Sequence, residues 1–318
     1  MTRATGSEVI PGVPALPATL IADADRGPRC AAWLDRLPQL VRTVFDDWGL
    51  SADGDVRPGA SAFALPVRTA EGTPAVLKVG WPDPEAEHEH LALQAWGGRG
   101  AVRLLRADPH RSALLLERAD PDRDLSALPV VEACTVVAGL YGDLHRPALP
   151  QLRTLSATTA DWVRLLEGLQ HSTQVSRRFV TEALSYARAF VDDPLTDGRL
   201  LHTDLHYATV LASSRTRAAD DGSAWLAIDP KPISGDPCFE VAPLLWNRWA
   251  EVQAAPSARA AIVERFFAVV DTAGLDESRA RAWVVVRELV NVARALAEPR
   301  PDQQWISACT TIAKALPT

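Results

Sequence analysis

Basic residues are in short supply: 33 Lys and Arg stand against 40 Asp and Glu, a formal net charge of -7 over 318 residues. Binding to nucleic acid draws on a basic surplus that neutralises phosphates, so that partner class finds no support. An acidic surplus suits a cationic small molecule, although a modest one serves solubility in any protein. Cysteine is equally sparse. Cys30, Cys134, Cys238 and Cys309 are scattered, with no C-x-x-C and no His at ligand spacing. They are expected to be reduced, mostly buried thiols rather than disulfides or a zinc site. No stretch approaches the roughly 18 to 20 apolar residues that span a bilayer, and residues 1–22 lack a charged segment leading into an apolar run. These absences predict a cytoplasmic protein with no membrane partner. There is no internal repeat. What is present is an ordinary globular composition, 47% hydrophobic and 23% charged.

The chain changes character once, near residue 118. Before that point it holds short β-like runs. Ala62 to Arg68 and Ala75 to Val79 flank a Gly- and Pro-containing stretch suited to a hairpin turn. Pro84 to Trp96 reads as a helix, with Pro near its start, acids in its first turn, and Leu91, Leu93 and Trp96 toward one side. Ala113 to Glu117 has the length of a strand, and Asp120 to Asp124 looks like a connector. Beyond it, helical spacing dominates: 129–145, 160–169, 174–191, 258–271, 277–297 and 302–316. One β-like block interrupts the helices, in which Thr209 to Ala212 and Trp225 to Ile228 are joined by a polar stretch. This α+β outline alone is shared by many folds.

Three charged residues stand out against apolar surroundings. Lys78 lies inside Ala75-Val76-Leu77-Lys78-Val79, where an unpaired ammonium is costly and calls for a phosphate or carboxylate; a lysine that guards a sheet edge is the plainer explanation. Asp204 lies in His202-Thr203-Asp204-Leu205-His206, directly before an apolar run. Asp229 ends Trp225-Leu226-Ala227-Ile228-Asp229, where a strand-end carboxylate needs a partner or a metal. Taken singly, each Asp is equally at home in a turn, and Asp229-Pro230 is itself a turn signal.

In combination these segments resemble the aminoglycoside phosphotransferase superfamily. His202 to His206 is similar to its H-x-D-L-H catalytic loop. Ala227-Ile228-Asp229-Pro230-Lys231-Pro232, followed by Gly235-Asp236-Pro237 and Ala242 to Asn247, resembles the streptomycin 6-kinase and hydroxyurea phosphotransferase branch, as does Gly80 to Glu89. The resemblance implies a bilobal protein-kinase-like fold, with a small β-rich N-lobe over residues 1–118 and a larger helical C-lobe over 119–318. It implies an ATP-dependent O-phosphotransferase acting on a small-molecule acceptor of the aminoglycoside type, with Mg2+ as cofactor. A protein kinase is disfavoured, because Ala-Pro-Glu and an activation segment are missing after Asp229.

Roles follow residue by residue. Asp204 would orient the acceptor hydroxyl and take its proton, and Asp229 would hold magnesium. Lys78 would bind nucleotide phosphates, with Glu89 as its ion-pair partner and Glu85 as the alternative. Ser61, in the glycine-poor stretch Pro58 to Ala62, would touch phosphate although G-x-G-x-x-G is absent. Glu117, at the end of Leu114-Leu115-Leu116, would mark the adenine-binding hinge. Asp236 would steady the catalytic loop. Glu240, Asp161, Glu288, Glu298, Asn291 and several tryptophans (Trp246, Trp249, Trp283) are acceptor-side candidates by location only.

One position departs from the pattern. Five residues beyond Asp204 the family has Asn, a second metal ligand, and here stands Thr209. A hydroxyl can ligate magnesium directly or through water, so Thr209 is a candidate metal ligand. The alternative is a catalytically impaired nucleotide-binding helper. Loss of a ligand costs roughly 10- to 100-fold, which favours an enzyme.

Overall fold

A computed structural model describes residues 28–58, 62–81, 83–170, 172, 174–215 and 224–316. Ser61 lies outside the described residues. The chain divides into two compact units, one formed by residues up to Gly98 with Val102–Ala119, the other by Arg99–Ala101 with Asp120–Thr318.

Among the described residues the first unit starts with a helix that the β-like reading did not anticipate, α1 (Pro28–Trp48), which contains Pro38. Six strands follow in one antiparallel sheet: β1 (Ser51–Ala52), β2 (Arg57–Pro58), β3 (Ala62–Arg68), β4 (Pro74–Gly80), β5 (Leu104–Asp108) and β6 (Ala113–Glu117), in the order β1-β3-β4-β6-β5 with β2 against β3. Alternation decides which face is buried. Phe63, Leu65 and Val67 of β3 and Ala75, Leu77 and Val79 of β4 turn to one side, where they form a core with Trp33, Leu37, Val41 and Val44 of α1. Lys78 therefore falls on the other face of β4. The helix expected from Pro84 starts only at Glu89, as α2 (Glu89–Trp96). Residues 84–88 instead form turns, in which Glu85 N–H donates to Asp83 Oδ1 and Ala86 N–H to Asp83 O. Gly97, in the left-handed region at φ +59°, closes the helix.

In the second unit the supposed connector is a strand, β7 (Asp120–Asp124), which pairs through a bulge with β9 (Val210–Ala212); β9 pairs in turn with β10 (Trp225–Ala227). A second small ladder joins β8 (Arg199–Leu201) to β11 (Ile233–Gly235). The helices are α3 (Val130–Leu144), α4 (Leu155–Leu169), α5 (Arg177–Asp192), α6 (Ala242–Trp246), α7 (Trp249–Ala254), α8 (Ala258–Ala273), α9 (Glu277–Ala297) and α10 (Gln303–Ala315). Helix α4 starts five residues earlier than its spacing suggests, because Thr154 caps it by accepting from Ala157 N–H. Among the described residues, no helix is long and apolar enough to cross a membrane, and all four cysteines are free and buried.

The α9–α10 contact holds a deeply buried carboxyl whose neutral form is favoured by burial. Glu288 is fully buried, and its oxygens lack hydrogen-bond partners among the described residues, with Cys309 and Asn291 nearby. Burial pushes it up to about 8. A folded pKa above the unfolded ~4.3 means the folded state holds an extra proton in that window, so stability falls as pH rises through it. By pH 7 the loss amounts to about 3 kcal/mol. Glu288→Gln, neutral at every pH, is expected to raise the melting midpoint at pH 8 by about 5 °C or more and to change it little at pH 5. An equal shift at both pH values in thermal melts would refute this reading.

Candidate active site

Two ladders clamp the same pair of loops. Val210 pairs with Ala227 where β9 meets β10, and Leu201 pairs with Ile233 where β8 meets β11. The loops enclosed, 202–209 and 228–232, are therefore held side by side at both ends. Gly235 lets the second ladder close, since a Cβ there would lie 2.6 Å from Leu201 Cδ1. Cross-links complete the bracket. Ile228 N–H donates to Thr209 O (2.9 Å), and Lys231 N–H donates to His202 O (2.9 Å). His202 Nε2 donates to Ile228 O (2.8 Å), while its Nδ1 accepts from Asp204 N–H (3.3 Å). That tautomer suits a neutral ring, and burial pulls the His202 pKa below its usual value.

Nearly every side chain of loop 202–209 is spent on this scaffold. His202, Leu205, Tyr207 and Thr209 are buried. Tyr207 donates to Leu244 O (2.8 Å). Thr209 Oγ1 accepts from His206 N–H (2.9 Å) and can donate to Asp204 O (2.9 Å) or His206 O (3.1 Å). Its hydroxyl thus closes the loop in a capping box with His206. Asp204 differs from its neighbours: its side chain is 32% exposed, and Oδ2 lies 2.9 Å from Lys231 Nζ. Burial would raise its pKa, but the Lys231 hydrogen bond and charge, helped by His206 and His202, bring it below the usual carboxylate range.

The backbone beneath Asp204 is strained. Thr203 has φ +65°, a region costly for a β-branched residue. Three groups hold it there. Its N–H donates to Glu240 Oε1, its Oγ1 donates to Lys231 O (2.7 Å), and its carbonyl accepts from Arg287 Nη2 (3.2 Å). Glu240 is wholly buried, and its other oxygen lies 2.6 Å from His145 Nε2. The Arg287 guanidinium also donates to Phe239 O (3.0 Å) and lies 4.0 Å from the Phe239 ring centroid and 4.9 Å from that of Trp246.

These contacts correct several acceptor-side expectations. Glu240 and Glu288 are buried, and so is Trp283, which stacks on Phe190 at 3.9 Å between centroids. Asp161 pairs with Arg164 on the surface. Asp236 takes Arg279, Trp283 Nε1 (2.6 Å) and Cys238 N–H (2.9 Å), so it ties its own turn to α9. Glu240 and Arg287 do the direct steadying. Sequence reading missed that role because their partners lie 37 and 84 positions away.

Asp229 sits just beyond β10 with its side chain exposed and φ +57°, a second strained non-glycine in the bracket. No cluster of three or more His, Cys, Asp or Glu suited to a metal occurs among the described residues. Magnesium in phosphoryl transfer takes one or two carboxylates, with phosphate and water as the rest, so a single exposed Asp229 fits it. The Thr209 hydroxyl is turned into the loop.

In the first unit, Lys78 Nζ lies 2.7 Å from both carboxylate oxygens of Glu89, with both side chains largely buried. Glu85 is exposed. The pair lines a cavity of about 390 Å³ together with Gly80, Trp81, Ser112 and Leu114. Glu117 is committed locally: its N–H donates to Arg103 O (2.9 Å), and its Oε2 accepts from Arg103 N–H (2.9 Å).

Comparison with known proteins turns this geometry into a family assignment. A family model described as aminoglycoside/hydroxyurea antibiotic resistance kinase matches residues 47–298. The chain belongs to that family. It is 38% identical over 264 residues to a streptomycin 6-kinase of Streptomyces griseus, covering 82% of this chain and 83% of that one. It is also 38% identical over 268 residues to a hydroxyurea phosphotransferase of Kitasatospora aureofaciens, at 81% and 73% coverage. The fold is that of a solved aminoglycoside phosphotransferase in ternary complex with ADP and hygromycin B, with a TM-score of 0.54, 18% identity, and coverage of 86% and 97%. As a member of this kinase family, the chain is an ATP-dependent phosphotransferase acting on an alcohol group of a small molecule, with magnesium as its metal. Relatives named as kinases and phosphotransferases support an enzyme over an impaired helper.

Proposed function

We propose that this kinase phosphorylates a hydroxyl of a streptomycin-type or related cationic antibiotic in the cytoplasm, where ATP is supplied. The observation that carries the site assignment is the contrast within one loop. His202, Leu205, Tyr207 and Thr209 are turned inward, while Asp204 presents an ionised carboxylate outward. Such a carboxylate is a weak base but a good hydrogen-bond acceptor, which suits phosphoryl transfer, where positioning outweighs proton abstraction. Asp204 orients the acceptor hydroxyl and receives its proton as the new bond forms. Lys78, fixed by Glu89, binds nucleotide phosphates, Ser61 adds a contact to them, and the Glu117 segment borders adenine. Asp229 holds magnesium, with Thr209 as a further oxygen only if its hydroxyl gives up a loop bond. When bound, magnesium neutralises phosphate charge. Protonated amino or guanidino groups on the acceptor match the net charge of -7.

The direct test is ADP release with ATP and magnesium in the presence of streptomycin, hygromycin B, kanamycin or hydroxyurea. Turnover is expected with streptomycin above the others. Absence of turnover with every acceptor, while calorimetry shows ADP binding, would overturn the proposal.

A further inference from the structure

We propose that Lys231 is a catalytic residue whose ammonium contacts the phosphoryl group in transit while also holding Asp204. This extends the reading of Asp204 given above and rests on it.

The Lys231 side chain is not what holds its own segment in place. Segment 228–232 is already secured by backbone: Lys231 N–H donates to His202 O (2.9 Å), and Lys231 O accepts from Thr203 Oγ1 (2.7 Å). The side chain adds an ion pair whose partners are 37% and 32% exposed, and a pair so exposed contributes little to stability. More than a third of the lysine side chain stays exposed while it holds Asp204, so its ammonium can also meet a substrate group.

Its position identifies that group. An acceptor hydroxyl oriented by Asp204 lies about 3 Å from the carboxylate, and the phosphorus it attacks lies about 3 to 3.5 Å beyond. The phosphoryl oxygens thus fall within about 6 Å of Asp204, inside the reach of an ammonium that stands 2.9 Å from Oδ2 on a flexible four-carbon stem. An ammonium offers three donors, so it can bridge a carboxylate and a phosphoryl oxygen. The transition state spreads negative charge over the transferred group, where a fixed cation is most effective.

The step balances without a proton from Lys231. The acceptor oxygen forms a bond to the γ-phosphorus as the bond from that phosphorus to the β,γ-bridging oxygen breaks. The electron pair of the broken bond leaves on ADP. The hydroxyl proton passes to Asp204 and then to water, and Lys231 remains an ammonium throughout. Such a contact has a signature in binding as well as in rate, because ADP lacks the group that Lys231 touches.

The experiment compares wild type, Lys231→Met, Lys231→Arg and Asp204→Ala. It measures kcat and acceptor KM, magnesium-dependent affinity for a non-hydrolysable ATP analogue and for ADP by calorimetry, and melting midpoint. Lys231→Met is expected to lose about 100-fold in kcat with acceptor KM within about threefold. Its preference for the triphosphate analogue over ADP should fall about tenfold, with ADP affinity and melting unchanged. Lys231→Arg should recover part of the rate, and in an added Lys231→Ala variant ethylammonium should restore part of it. Should Lys231→Met fold poorly, Lys231→Gln takes its place. A kcat within threefold of wild type, or an unchanged triphosphate preference, overturns the assignment. Asp204→Ala separates the two readings: if it stays active, the role given to Asp204 fails, whereas an inactive Asp204→Ala beside an unimpaired Lys231→Met removes Lys231 alone.

Discussion

Replacing Asp204 with Asn is expected to lower kcat by about a thousandfold while ADP affinity and melting midpoint stay close to wild type. The size of the effect follows from what the substitution keeps. Asn preserves shape and backbone, so the clamp of β8–β11 and β9–β10 is undisturbed. It removes the charge that Lys231 pairs with and the acceptor that orients a hydroxyl. The folded pKa of Asp204 is below the usual carboxylate value, so the carboxylate is ionised throughout the neutral range. Its contribution to kcat should therefore be flat from pH 6 to 8 and be lost only on acidification below the ordinary carboxylate range. Steady-state rates with a saturating acceptor check both points. An Asn variant retaining more than about a tenth of wild-type kcat would remove Asp204 from the reaction.

Glu240→Ala is expected to damage both stability and rate, costing about 3 to 5 kcal/mol and about 100-fold in kcat. The substitution strips the largely buried His145 of its carboxylate partner and the Thr203 N–H of its acceptor. Unpaired buried polar groups carry their full desolvation cost. Thr203 would then lose one of three restraints holding it at φ +65°, and relaxation there moves the next residue, Asp204. Glu240→Gln should fall between, since an amide oxygen can still accept from Thr203. Strain gives the test that separates cause from general damage. In the Glu240→Ala background, Thr203→Gly should recover stability, because glycine occupies this region without penalty. The two losses should then be less than additive in chemical denaturation, and strict additivity would count against the coupling.

How much of this was legible beforehand depended on whether a feature is local. Strand 62–68 and helix 277–297 emerge from the sequence at their observed limits because alternation and helical spacing are properties of the segment itself. The pairing of Lys78 with Glu89 could be guessed from the demand that a buried ammonium be met, together with the family pattern. Helix Pro28–Trp48 escaped because Pro38 interrupts it and no acid marks its first turn. Strand Asp120–Asp124 escaped for the opposite reason: Asp-Pro-Asp-Arg-Asp has no β-forming side chains and is recruited by backbone pairing to β9. Thr209 looked like an incomplete metal ligand when only spacing could be seen. Its hydroxyl proves to close the loop locally, through partners three and five residues away. Lys231 stood inside a recognised motif, yet its approach to Asp204, 27 positions away in sequence, depends on two ladders folding the chain back on itself.

The bracket around His202 also bears on inheritance. Because one imidazole joins Asp204 N–H to Ile228 O, and Lys231 returns to both His202 and Asp204, residues 202–209 and 228–232 form a single heritable unit written in two places. Recombination between relatives is benign when both pieces come from one parent. A crossover falling between them joins a loop from one lineage to a bracket from another. Gene shuffling within this family should therefore favour breakpoints outside 202–232, even where the intervening stretch itself tolerates change.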